Sequence, residues 1–70
     1  MMATFKDKGN YFEIKFEGTV LRVSKNNGAV TDPKSPLVKS DIGIVVAALN
    51  LNGHKELADK VARKYRGKFD

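Results

Sequence analysis

Residues 11–24 read YFEIKFEGTVLRVS, and this stretch fixes the register of a β-hairpin. With Glu17-Gly18 at a two-residue turn, the flanking residues alternate between an almost wholly apolar face and a polar face. The predicted pairs are Phe16–Thr19, Ile14–Leu21 and Phe12–Val23 on the apolar face, and Lys15–Val20, Glu13–Arg22 and Tyr11–Ser24 on the polar face. Because side chains alternate across a strand, a slip of one residue would move the apolar set into water. The stretch therefore predicts one antiparallel hairpin in one register.

Further strands are predicted on both sides of the hairpin. Residues 3–6 can form a short first strand before a turn cluster. The Asn-Gly dipeptide at 27–28 is a strong signal for a two-residue turn, because both residue types tolerate a positive φ. A turn there predicts that residues 29–31 pair with residues 24–26. The result is a β-meander of three or four strands over about 3–31.

Two helices are predicted after a connection that contains two prolines, residues 32–39. Apolar residues at helical spacing predict the first helix over about 41–50, with Ser40 as its cap and Asp41 in its first turn. A clean apolar stripe with cations outside it predicts the second helix over about 54–66. We therefore predict a single α+β domain. It has a three- or four-stranded antiparallel β-meander followed by an αα-hairpin packed on one face of the sheet.

The predicted core joins the apolar hairpin face to one stripe from each helix. Its members are Phe12, Ile14, Phe16, Leu21, Val23, Ile42, Val45, Val46, Leu49, Leu57, Val61 and Tyr65. The first helix is apolar nearly all round, and its β-branched residues leave a buried strand as the alternative. Its surplus apolar face predicts a homodimer that forms through Ile44, Ala47 and Ala48. The alternative is a monomer in which Gly43 and these alanines expose little apolar area.

The composition limits the class of protein. Seventy residues make one small domain, and the absence of cysteine excludes a disulfide framework and thiolate metal sites. The longest apolar run, residues 44–49, is too short to cross a bilayer. The first twenty residues lack an apolar stretch of signal-peptide length. We therefore expect a cytoplasmic protein that does not associate with membranes.

The charge balance indicates a polyanionic partner, either nucleic acid or an acidic protein surface. The chain has 13 basic and 8 acidic residues and a formal net charge of +5. The basic C-terminal segment, residues 60–68, holds five cations with no acidic residue between them: Lys60, Arg63, Lys64, Arg66 and Lys68. Such side chains give salt-sensitive, largely sequence-independent contacts with phosphates. The polar hairpin face adds Lys15 and Arg22 as candidate contacts, although Glu13 interrupts that face.

Catalytic chemistry is not expected from these residues. His54 is the only histidine, and it is predicted to face solvent at the start of a helix, without a nucleophile or an orienting carboxylate. The Asn-Asn-Gly tripeptide at 26–28 lacks the spacing of a phosphate-binding loop. We predict no enzyme activity, no metal and no cofactor. The expected function is a non-enzymatic nucleic-acid-binding or regulatory protein. The alternative is a protein-binding modulator or inhibitor of a larger enzyme, which acts through its sheet edge or its exposed apolar helix face.

Overall fold

The computed structural model describes residues 3–69. Within them, four strands precede two helices: β1 Ala3–Asp7, β2 Tyr11–Phe16, β3 Thr19–Ser24, β4 Val30–Thr31, α1 Lys39–Leu51 and α2 Lys55–Lys64. The strands form one antiparallel sheet in the order β1-β2-β3-β4. The predicted α+β fold, an antiparallel meander followed by a helical hairpin, is confirmed, and the meander has four strands.

The central hairpin has the predicted register in all six of its pairs. Glu17 and Gly18 both have positive φ angles, 45° and 78°, as a two-residue turn between right-twisted strands requires. Strand β1 extends the same pattern, because its Phe5 lies opposite Ile14 on the apolar face. The alternation of apolar and polar residues thus carries across three strands.

The turn between β3 and β4 differs from the prediction. A two-residue turn would pair Val30 with Lys25, but Val30 lies opposite Val23, so the loop comprises residues 25–29. The shift of two residues places Val30 in the core, where it is only 3% exposed. Asn27 stabilises the longer loop, because its Oδ1 accepts a hydrogen bond of 2.9 Å from the backbone N–H two residues on. Burial of Val30 and this side-chain bond together favour the longer loop over the tight turn.

Helix α1 begins earlier than predicted. Lys39 is its first residue, and Val38 rather than Ser40 occupies the N-cap position. Asp41 secures this helix start, since its Oδ2 accepts a hydrogen bond of 3.0 Å from the Val38 N–H. Gly53, with a φ of 83°, takes the left-handed conformation between the two helices.

Helix α2 is one residue shorter than predicted at its start and two residues shorter at its end. Its C-terminal cap, Tyr65, reaches across to β4. The Tyr65 hydroxyl accepts a hydrogen bond of 2.9 Å from the Val30 N–H and donates one of 3.3 Å to the Val30 carbonyl oxygen. In addition, Lys60 Nζ donates to the backbone oxygen of Asn26 at 3.3 Å. These bonds fix α2 against the last loop and the last strand of the sheet.

A single hydrophobic core lies between one face of the sheet and the two helices. Its buried members are Phe12, Ile14, Leu21, Val23, Val30, Val45, Leu49, Ala58 and Val61. Five residues predicted for the core are only partly buried, and these are Phe16, Ile42, Val46, Leu57 and Tyr65. Val30 and Ala58 are buried in the core although they were not predicted there. The burial of Val30 depends on the longer loop, and the burial of Ala58 depends on the close approach of α2.

Candidate functional site

The basic C-terminal segment forms the end of α2 and the turns that follow it. Each of its five cations is exposed. With 3.6 residues per turn, Lys60, Arg63 and Lys64 lie on neighbouring positions of one side of α2. Arg66 instead lines a groove beside α1. The structure therefore brings three of the five cations together on one helix side and separates Arg66 from them.

The two aromatic residues at this end of the chain have different roles. Tyr65 is half-buried, and its hydroxyl is engaged by Val30. Its ring stacks on Phe69 with 6.2 Å between the ring centroids. Phe69 is 36% exposed. Of these two residues, Phe69 is the one with a ring surface available to an outside partner.

Lys15 and Arg22 lie on a different surface from the basic C-terminal segment. They belong to the open face of the sheet, the face turned away from the helices and the core. The register assigns this face Thr4, Lys6, Tyr11, Glu13, Lys15, Val20, Arg22, Ser24 and Thr31. Lys6, Lys15 and Arg22 are exposed there. Lys6 is the cation of this face that the sequence interpretation missed, because its place beside Glu13 depends on the pairing of β1 with β2.

Glu13 sits at the centre of these cations and is only 8% exposed. Its carboxylate oxygen lies 3.7 Å from Lys15 Nζ, and its cross-strand neighbours are Lys6 and Arg22. The Arg22 guanidinium lies over the Tyr11 ring, 5.5 Å from its centroid. Glu13 as a whole residue is therefore largely covered, while Lys6, Lys15 and Arg22 around it are exposed. The open face presents a basic surface despite the acidic residue within it.

The prediction that His54 faces solvent is wrong. It is half-buried, and its ring centroid lies 4.5 Å from that of Phe12 and 5.7 Å from that of Phe5. The sequence could not show this contact, because both phenylalanines lie on strands far from His54 along the chain. The histidine is thus part of the packing between the sheet and the start of α2.

An ion pair next to this aromatic cluster links the end of β1 to the loop after β3. Lys25 Nζ donates a hydrogen bond of 2.7 Å to Asp7 Oδ1 and lies 4.7 Å from the ring centroid of Phe12. The Lys25 ammonium and the Gly9 backbone N–H hold the pKa of Asp7 below its usual value of 3.8. Lys25 is therefore engaged within the protein by both a carboxylate and an aromatic ring.

The three residues predicted for a dimer interface have different environments. Ile44 and Ala48 are half-buried and pack against the core, whereas Ala47 is exposed. Ala47 lines a shallow apolar groove between α1 and the residues after α2. The other apolar residues of that groove are Ile42, Val46, Ala62, Tyr65 and Phe69. The surplus apolar surface of α1 therefore lies on the side of Ala47.

Neither helix of the described chain, residues 3–69, is long and apolar enough to cross a membrane. Within the same residues, the His, Asp and Glu side chains form no group of three that could hold a metal ion.

No protein-family model, curated protein or solved structure matches this chain.

Proposed function

We propose that this is a small, non-enzymatic nucleic-acid-binding protein of the cytoplasm that contacts phosphates through its basic C-terminal segment. The observation that supports the proposal most is the exposure of all five cations in a stretch with no acidic residue between them. Each exposed ammonium or guanidinium group that neutralises a phosphate releases condensed counterions, which is the main source of non-specific affinity for nucleic acid.

The arrangement on α2 favours contact with one nucleic-acid strand. Arg63 and Lys64 lie three and four residues after Lys60, so the three charged groups share one side of the helix and can reach neighbouring phosphates. Cations at a helix C-terminus also offset the helix dipole, and this alone would stabilise the helix. The proposal therefore rests on the exposure and spacing of the three side chains and not on their closeness to the helix C-terminus.

Fluorescence anisotropy of labelled double-stranded and single-stranded DNA tests the proposal directly. We expect binding that weakens steeply between about 50 and 200 mM salt. Three phosphate contacts, one for each cation grouped on α2, would give a slope of about −2.7 in a plot of log K against log salt, and added contacts from Arg66 and Lys68 would make it about −4.5. If neither DNA binds at the lower salt, even at high micromolar protein, the proposal is wrong.

A matched pair of variants separates specific contacts from net charge. Arg63→Gln combined with Lys64→Gln should weaken binding and reduce the steepness of the salt slope by about 2. Lys8→Gln combined with Lys34→Gln removes the same charge from exposed positions in a turn and in the connection. This control should bind almost as well as the wild-type protein. Equal losses in both variants would show that net charge alone, and not the basic C-terminal segment, causes the binding.

One observation favours the alternative function, a protein-binding modulator or inhibitor. The sheet ends in β1 on one side and in β4 on the other. The β4 edge is occupied at Val30 by the Tyr65 hydroxyl. Among residues 3–69, no strand pairs with the outer side of β1. That edge can accept a strand from a partner through backbone hydrogen bonds. Binding of this kind would tolerate high salt and would not respond to the Arg63→Gln and Lys64→Gln variant.

The homodimer stays a prediction, and the apolar groove at Ala47 is the surface on which to test it. Sedimentation velocity of the wild-type protein and of Ala47→Glu measures the oligomeric state. We expect a dimer that the charged residue dissociates, since a buried unpaired carboxylate at an interface is costly. A wild-type monomer at high micromolar concentration would contradict the prediction.

A further inference from the structure

A second set of exposed cations lies on the side of the molecule opposite to α2. Lys6, Lys15 and Arg22 are on the open face of the sheet, whereas both helices pack on the other face. The sheet therefore lies between this set and helix α2, and Lys60 of α2 reaches only the loop at the end of the sheet, where it binds the backbone oxygen of Asn26. A straight duplex that lies along either surface would leave the other one free.

The open face has the charge and the donors that a sugar–phosphate backbone requires. Neighbouring strands are about 4.8 Å apart, so Lys6 on β1 and Arg22 on β3 flank β2 at roughly 5 Å on either side. The Arg22 guanidinium lies over Tyr11, which restricts its orientation, and a guanidinium can bind a phosphate through two parallel hydrogen bonds. Thr4 and Thr31 on this face carry hydroxyl groups that can donate to a phosphate, whereas the Ser24 hydroxyl already accepts a hydrogen bond from the Asn26 N–H.

The low exposure of Glu13 limits how strongly its carboxylate opposes a polyanion on this surface. An exposed carboxylate at its centre would repel phosphates, but Glu13 is only 8% exposed. Lys15, the cation closest to its carboxylate, keeps a side chain that is 51% exposed. Glu13 therefore offers little surface to an approaching phosphate, while the Lys15 side chain remains accessible.

We infer that the open face of the sheet binds a second nucleic-acid segment, so that one protein molecule bridges two segments. This inference rests on the proposed function of the basic C-terminal segment, which binds the first segment. A bridging protein holds separate duplexes, or distant parts of one molecule, close together. Its activity is therefore the joining of nucleic-acid segments and not only their coating.

A capture assay tests the bridging. One short duplex is fixed to beads, and a second, fluorescent duplex of different sequence is supplied in solution with the 70-residue protein at low salt. The wild-type protein should retain the fluorescent duplex several-fold above a reaction without protein. Lys15→Gln combined with Arg22→Gln should reduce the retention to background, and so should Arg63→Gln combined with Lys64→Gln. Lys8→Gln combined with Lys34→Gln is the control of equal charge and should retain the duplex.

Anisotropy of one labelled duplex is measured on the same variants, and thermal melting confirms that each is folded. Each double variant should still bind one duplex, through the surface that it leaves intact. Binding without retention by the wild-type protein would overturn the bridging inference and leave the proposed function standing. Retention by the Lys15→Gln and Arg22→Gln variant would also overturn it. A wild-type protein that binds no duplex at all would overturn the proposed function.

Discussion

The two faces of the sheet reach low exposure by different means. On the covered face, Phe12, Ile14 and Val23 are at most 4% exposed because both helices pack over them. On the open face, Glu13 is 8% exposed although no helix of the described chain covers it, since long cationic side chains surround it. The covered face is held by shape and apolar contact, which change little with solution conditions. The open face is held by charge, which salt and a polyanion can rearrange.

The largest effect is expected on the covered face. Leu49 is fully buried beneath the sheet, so Leu49→Ala should lower the free energy of unfolding by about 2–5 kcal/mol. Phe16 is only partly buried, and Phe16→Ala should cost less. Urea denaturation measures both changes. An unchanged midpoint for Leu49→Ala would contradict the packing described for this face.

The next effect concerns the bond between the last helix and the edge of the sheet. Tyr65→Phe removes the hydroxyl that binds both backbone groups of Val30, and it should destabilise the fold by about 1–3 kcal/mol. Tyr11→Phe on the open face is the matched control, because it keeps the ring beneath Arg22. Thermal melting compares the two variants. Equal stability of the two would show that the Tyr65 hydroxyl bonds contribute nothing.

A smaller effect is expected at Glu13, where one substitution should lower stability and strengthen duplex binding. Glu13→Gln removes the negative charge among Lys6, Lys15 and Arg22 and should cost less than about 1 kcal/mol of stability. The same change should strengthen duplex binding, since the three cations lose their internal counter-charge. Glu17→Gln, at an exposed turn position, makes the same change in net charge. If both variants gain affinity equally, the open face has no special role.

The smallest effect is a pH dependence at Asp7. Its pKa is lower in the folded protein because of Lys25 and the Gly9 N–H, so the ionised carboxylate stabilises the fold above its ordinary pKa of 3.8. This stability is lost as the pH falls through the lowered pKa. Asp7→Asn should therefore melt slightly below the wild-type protein at neutral pH, and the difference should shrink in strong acid. A difference that grows on acidification would contradict the assignment.

The sequence predicted the parts of the fold that local pattern controls and missed those that depend on distant neighbours. The hairpin register follows from alternation and from a two-residue turn, which act within 14 residues. The prediction of a two-residue Asn-Gly turn was wrong because the burial of Val30 outweighs a local turn preference. The exposed cations of α2 follow from helical spacing. The low exposure of Glu13 could not be predicted from local sequence, because it depends on side chains from three strands.

The bond between Tyr65 and Val30 has a consequence for the order in which the protein opens and closes. Strand β4 has only two residues, and a side chain 35 positions further along the chain binds its Val30 backbone groups. We therefore expect β4 to unfold locally together with α2, as one cooperative unit, and not together with the neighbouring hairpin. We expect the amide hydrogen of Val30 to exchange with solvent at the rate at which α2 detaches. A ligand that holds α2 in place would slow that exchange and leave the exchange of the hairpin amides unchanged.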